Sequence, residues 1–245
     1  MPIAEISNTS KFRKVMPQSQ SYKVTPIHAG ASNAYLITGN SITIMVDSGS
    51  RGNTHKFKTA LENKGLDFQD IDYIILTHSH YDHVGCLEEI RKKSTATVIA
   101  HRAEVEYLKR GYTPFPEGTM LFSRLICGFA NKFLPDRGRY TPIDPDIVID
   151  GECEIPLSDT TIQILPLAGH TSGSICVIIG KNAIVGDTLF SFMPGSVYPP
   201  FANDEKELLK SWKKLLSTGC NIFYPGHGKP FSRARFEKCY RKKKD

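Results

Sequence analysis

Three imidazoles and a carboxylate fall within one short run, His78-Ser79-His80-Tyr81-Asp82-His83, and this run constrains the chain more than any other feature. It follows Tyr73-Ile74-Ile75-Leu76, closing on Thr77, an apolar stretch that reads as a fully buried strand. It precedes Val84, Leu87 and Ile90, whose spacing suits one face of a helix. The four polar groups therefore sit on a loop held between two rigid elements. Imidazole nitrogen and carboxylate oxygen are natural transition-metal ligands, and rigid elements fix their geometry. A His-rich surface turn would account for one or two of these residues, but not for four behind a buried strand. The loop is expected to bind metal.

Three later positions repeat one pattern, in which a strand ends and a metal-competent side chain appears beside glycine. Ile164-Leu165-Pro166-Leu167-Ala168-Gly169 leads to His170, Ala183-Ile184-Val185-Gly186 to Asp187, and Ile222-Phe223-Tyr224-Pro225-Gly226 to His227. Singly, each histidine reads equally as a hydrogen-bonded core residue and Asp187 as a turn former. Strand ends on one sheet edge can converge, and the full set points to a shared site.

The rest of the chain supplies a scaffold. Its 245 residues provide material for a real core, and 40% hydrophobic with 23% charged residues is ordinary for a globular protein. No apolar stretch approaches the roughly 20 residues of a membrane span. Met1 to Gln20 is polar, reads as an irregular arm without the apolar core of a signal peptide, and a cytoplasmic address is expected. Six cysteines, widely spaced and without a Cys-x-x-Cys pair, argue against a disulfide framework or a zinc ribbon. The net charge of +6 is concentrated near the C-terminus, where residues 236–245 read as a basic, solvated tail. Such a run can also bind nucleic acid, which is the less favoured reading.

Strands are expected at Tyr22–His28, Asn33–Thr38 and Ser41–Asp47, the last two flanking a Gly39-Asn40 turn. A helix over 53–64, the buried strand, a strand at Thr97–Ala100 and a helix over His101–Arg110 follow. Residues 111–145 differ: prolines bracket Leu121 to Leu134, where Phe122, Leu125, Ile126, Phe129 and Phe133 recur at helical spacing. This amphipathic insert either packs on the core, walls the active site or forms a dimer contact. Strands resume at Asp146–Ile149, Thr160–Leu165, Ser174–Ile179 and Asn182–Val185. A helix with Asn203 as N-cap buries Leu208, Trp212 and Leu215, and a last strand runs Asn221–Tyr224. Two strand-rich halves that each carry helices suggest two sheets face to face with helices outside, as one domain over residues 21–235.

His78-x-His80-x-Asp82-His83 followed by His170, Asp187 and His227 resembles the metallo-β-lactamase superfamily at every metal position, over roughly residues 22–230. The resemblance implies an α+β, four-layer αβ/βα sandwich with a dinuclear site at one edge. It implies that His78, His80 and His170 hold one metal, that Asp82, His83 and His227 hold the second, and that Asp187 bridges them. Asp47 matches an acid that supports the ligands from behind. Zinc is the expected pair of divalent ions, with iron or manganese admitted by the same donors. A metal-bridging hydroxide then cleaves the substrate, with Asp82 as the catalytic acid residue that orients it.

Subfamily features narrow the substrate. Asp187 stands where secreted zinc β-lactamases place cysteine, and Phe190 where lactonases carry tyrosine. Gly186-Asp187-Thr188-Leu189-Phe190 is similar to hydroxyacylglutathione hydrolases, in which Tyr198 would fall at a substrate-contacting position, but their C-terminal helical domain has no counterpart after His227. The expected activity is hydrolysis of a small ester, thioester or lactone. The alternatives are a mononuclear iron persulfide dioxygenase and a metal-dependent RNA or DNA phosphodiesterase. A small-molecule substrate is the expected partner, and a homodimer remains open.

Overall fold

The computed structural model describes residues 22–39, 42–157 and 160–244, so the arm expected at 1–20 lies outside the described residues. One sheet holds β1 (Lys23–Ala29), β2 (Ser32–Thr38), β3 (Thr43–Val46), β4 (Tyr73–Ile75), β5 (Thr97–His101) and β6 (Ile147–Ile149), side by side in chain order. Its first three strands are antiparallel and β3 to β6 are parallel. The second sheet holds β7 (Cys153–Pro156), β8 (Thr161–Pro166), β9 (Ile175–Ile179), β10 (Asn182–Ser191), β11 (Ile222–Gly228) and β12 (Phe231–Ser232). Here only β10 and β11 run parallel.

Alternation along the strands accounts for the layering. Tyr35, Ile37, Ile44, Val46, Ile75 and Ile99 of the first sheet pack on Ile162, Ile164, Val177 and Ile184 of the second. The intervening residues Leu36, Met45, Ile74 and Val98 face outward, onto Phe57 and Leu61 of α1 (Thr54–Glu62) and, beyond the short α2 (Tyr81–Val84), onto Leu87 and Ile90 of α3 (Leu87–Arg91). Strands buried on both faces carry continuous apolar runs, as Tyr73–Leu76 does. After α4 (Val105–Arg110) and α5 (Leu121–Phe133), the second sheet buries its outer face under Leu208, Trp212 and Leu215 of α6 (Glu205–Ser217) and Phe236 of α7 (Arg233–Lys244). The result is the expected four-layer αβ/βα sandwich.

Three local expectations need correction, and one strand was not foreseen. The segment read as a basic tail is the helix α7, whose Phe236 is fully buried and whose first arginine donates to the carbonyls of Leu216 and Cys220. The cap of α6 is Asp204, which accepts from the Lys206 and Glu207 amides, while Asn203 instead accepts from the Glu117 amide in the insert. The single helix expected after the metal loop is broken into α2 and α3, because the Gly85 amide bonds the Gly49 carbonyl at 2.7 Å rather than continuing the helix. The edge strand β7, not expected from the sequence, leaves little trace there because it has only four residues and ends on Pro156. Among the described residues, no helix is long and apolar enough to cross a membrane.

Candidate metal centre

The two sheets meet at one edge, and that edge carries the site. Beyond β4, the Thr77 carbonyl accepts from the Ile175 amide of the other sheet at 2.9 Å. Gly186 passes against Thr77 so closely that a Cβ would lie 2.6 Å from its hydroxyl, and its φ of +49° is one that favours glycine. A bulge there interrupts the β10–β11 register and turns Asp187 inward. Gly226 is needed for a similar reason, since a Cβ would collide with Asp187 Oδ1. From the first sheet, Tyr35 Oη donates to the Pro225 carbonyl at 2.6 Å and Asn33 Nδ2 to the Gly228 carbonyl at 2.8 Å. These bonds hold the strand that presents His227.

All seven expected ligands come together. Three groups of side chains, His78/His80/His170, His78/His83/Asp187 and Asp82/His83/His227, place their donor atoms within 4.8 Å of one another. Asp187 is the common neighbour. Its Oδ2 lies 3.5 Å from His170 Nε2, 3.3 Å from His227 Nε2 and 4.0 Å from His78 Nε2, and its Oδ1 lies 3.3 Å from His83 Nε2. Asp82 Oδ2 is 3.4 Å from His227 Nε2.

Hydrogen bonds behind the ligands set the tautomers. Asp47 accepts the Thr77 amide and the Thr77 hydroxyl, each at 2.7 Å, and its Oδ2 is 2.8 Å from His83 Nδ1. The Thr77 hydroxyl spends its proton on Asp47, so at 3.0 Å it accepts from His78 Nδ1. His170 Nδ1 donates to the Phe201 carbonyl at 2.9 Å. In their neutral forms His78, His83 and His170 thus turn their Nε2 lone pairs to the centre. Asp47 does this from a φ of +62°, a left-handed conformation that costs energy in a non-glycine residue.

The donor set fits a cation. His78 Nε2, His83 Nε2 and Asp187 Oδ1 are buried without a hydrogen-bond partner, an expensive arrangement for polar atoms. A tetrahedral ion with bonds of 2.0–2.1 Å separates neighbouring ligand atoms by about 3.3 Å, and the Asp187 contacts of 3.3 and 3.5 Å agree with this. Burial pushes the His78 and His80 imidazoles well below their ordinary range and lowers His170, favouring the neutral, ligating form. Burial works the same way on His83 and His227, but Asp187 beside them overrides it and raises both. Burial opposes ionisation of Asp187, yet His227 and His83 hold its carboxyl well below the usual range.

Two outcomes differ from expectation. Tyr198 does not reach the site: its hydroxyl donates to Glu205, and its ring packs edge-on against Trp212 at 5.6 Å. Glu104 belongs to the site without having been expected there. It is only 1% exposed, and it accepts from the Ser79 amide at 3.0 Å, the Ser79 hydroxyl, the Thr171 hydroxyl at 2.7 Å and the Gly173 amide at 3.1 Å. It clamps the His78–His80 loop to the His170 loop. The only signal in the sequence is a small hydroxyl residue beside each ligand run. Phe190 stacks on His227 with ring centroids 4.7 Å apart.

A cavity of 310 Å³ opens over the ligands, with His80, Asp82, His170, Asp187 and His227 in its floor and Tyr81, Phe115, Ile126 and Phe201 in its walls. The insert is fastened above it by the Thr119 amide to the Pro200 carbonyl at 2.9 Å and by the Ala202 amide to the Glu117 carbonyl at 2.8 Å. A larger depression of 540 Å³ lies beside it, lined by Arg124, Asn131, Asp204 and Lys206, and holds none of the seven ligands.

The sequence profile of the Metallo-beta-lactamase superfamily matches residues 28–227. A probable metallo-hydrolase of Methanocaldococcus jannaschii is 32% identical over 210 residues, covering 84% of this chain and 92% of that protein. A probable hydroxyacylglutathione hydrolase of Schizosaccharomyces pombe is 29% identical over 231 residues, covering 88% and 73% respectively. The crystal structure of an archaeal metallo-beta-lactamase superfamily protein from Sulfolobus tokodaii superposes with a TM-score of 0.67 at 23% identity, over 91% of this chain and 86% of that one. The structural likeness speaks to the fold alone.

Proposed function

Because the chain belongs to the metallo-β-lactamase superfamily of metallohydrolases, we propose that it is a dinuclear zinc hydrolase of a small ester, thioester or lactone. The observation that carries this reading is Asp187, whose two oxygens face imidazoles of both ligand groups within 3.3–4.0 Å. His78, His80 and His170 would hold one ion and Asp82, His83 and His227 the other, with Asp187 shared. Bound there, a pair of divalent ions supplies hydroxide near neutral pH and polarises the carbonyl oxygen under attack.

The chain's own residues do the rest. Asp47 keeps His83 and, through Thr77, His78 in the tautomers that face the centre. Asp82 lies in the cavity floor, where its carboxylate would orient the attacking hydroxide. Phe115, Ile126 and Phe201 give the cavity an apolar wall on one side of the candidate ligands. Cys127 also lines the cavity, but burial pushes its thiol up, the wrong direction for a nucleophile. The hydroxyacylglutathione hydrolase among the relatives supports an acyl group at the reacting end.

The test is elemental analysis of protein purified without added metal, paired with a panel of thioesters, esters and lactones. About two zinc ions per chain with turnover on the panel is the expected result. One iron per chain, with oxygen consumed on a persulfide, would overturn it.

A further inference from the structure

The cavity over the ligands does not end at its apolar walls. Tyr81, Phe115 and Ile126 also line a second groove of 390 Å³, which continues along α5 past Leu125, Phe129, Ala130 and Leu134 to Arg137. Leu125 is 68% and Phe129 58% exposed, so the groove's floor is apolar surface left open to water. Contiguous patches of this kind mark binding surfaces. Here the patch shares three residues with the candidate active site, so an occupant of the groove lies directly beside the candidate ligands.

We propose that this groove receives the acyl chain of the substrate, which is an ester or thioester of a medium- or long-chain unbranched acyl group. The inference rests on the hydrolase reading. From Ile126 to Leu134 the path spans about 12 Å along the helix, room for an aliphatic tail of roughly ten carbons reaching from the carbonyl. No charged side chain lines the groove before Arg137. A rigid, branched or polar acyl group would leave this surface wet.

The experiment uses the zinc-loaded full chain with acetyl, hexanoyl, decanoyl and hexadecanoyl thioesters of N-acetylcysteamine, and measures decanoate binding by calorimetry independently of turnover. KM is expected to fall about two- to four-fold per added methylene until the groove is filled, then level off. Phe129→Glu should cut the decanoyl-over-acetyl selectivity about ten-fold and weaken decanoate binding to match. Phe122→Glu, on exposed surface outside the groove, should change neither. Hydrolysis with no dependence on chain length overturns the groove while leaving the hydrolase reading standing. So does self-association that buries α5, seen by sedimentation and abolished by Phe129→Glu, with decanoate failing to bind. Decanoate binding that Phe129→Glu weakens, with no thioester, ester or lactone of the panel cleaved, overturns the hydrolase reading and keeps the groove as an aliphatic-chain site.

Discussion

Single residues divide into those a sequence can reveal and those only geometry can. The convergence of the seven candidate ligands was legible because few roles besides metal binding concentrate imidazoles and carboxylates at strand ends. Asp187→Ala removes the carboxylate that faces four imidazoles, so turnover should vanish while the far-ultraviolet circular dichroism stays native. Retained activity in a variant with verified metal content would remove Asp187 from its bridging role. Glu104 was illegible because its partners lie 25, 67 and 69 residues away and its own segment reads only as a helix. Backbone amides donate to both of its oxygens, from Ser79 and from Gly173. Either orientation of a glutamine would therefore turn an NH2 against an N–H. Glu104→Gln should cost about 1–3 kcal/mol in urea unfolding and weaken zinc affinity about ten-fold. A variant with native stability and native zinc affinity would show that the clamp does not position the ligand loops.

Elements were legible wherever one face is buried and the other is not. The stripe of α5 was visible as spacing, but its environment was not: Phe122, Leu125, Ile126, Phe129 and Phe133 are all exposed, by 48–68%, instead of packing into the core. For α7 the error ran the other way. Its lysines and arginines suggested a tail, yet Phe236 and Cys239 are buried on the second sheet's outer layer and Arg235 donates to the Ser196 carbonyl at 2.8 Å. A composition dominated by charge hides two buried residues spaced three apart. Phe236→Ala should destabilise the protein by about 3–5 kcal/mol, read as a fall in the urea midpoint with an unchanged slope. Reversing the exposed charge of Lys242 to glutamate should leave the midpoint in place. Equal small effects from the two changes would return this segment to the status of a tail.

At the scale of the whole molecule, the metal site is the seam between the two halves. The first sheet and its loops supply Asp47, His78, His80, Asp82 and His83, and the second supplies His170, Asp187 and His227. Without cations the seam keeps three buried polar atoms unpaired and packs an anionic carboxylate among imidazoles. Unfolded chain offers no such convergence, so ions held there would bind the native state and stabilise it by mass action, by about 4 kcal/mol at a thousand-fold excess over Kd. Chelation should therefore lower the melting temperature of the whole protein, and readdition of zinc should restore it in proportion to the logarithm of free zinc. Because both sheets contribute ligands, the loss should appear as one shifted cooperative transition. A local change at the loops with an unmoved global transition would mean that the halves hold together through the inter-sheet core of Tyr35, Ile44 and Val177 and that the ions serve chemistry alone.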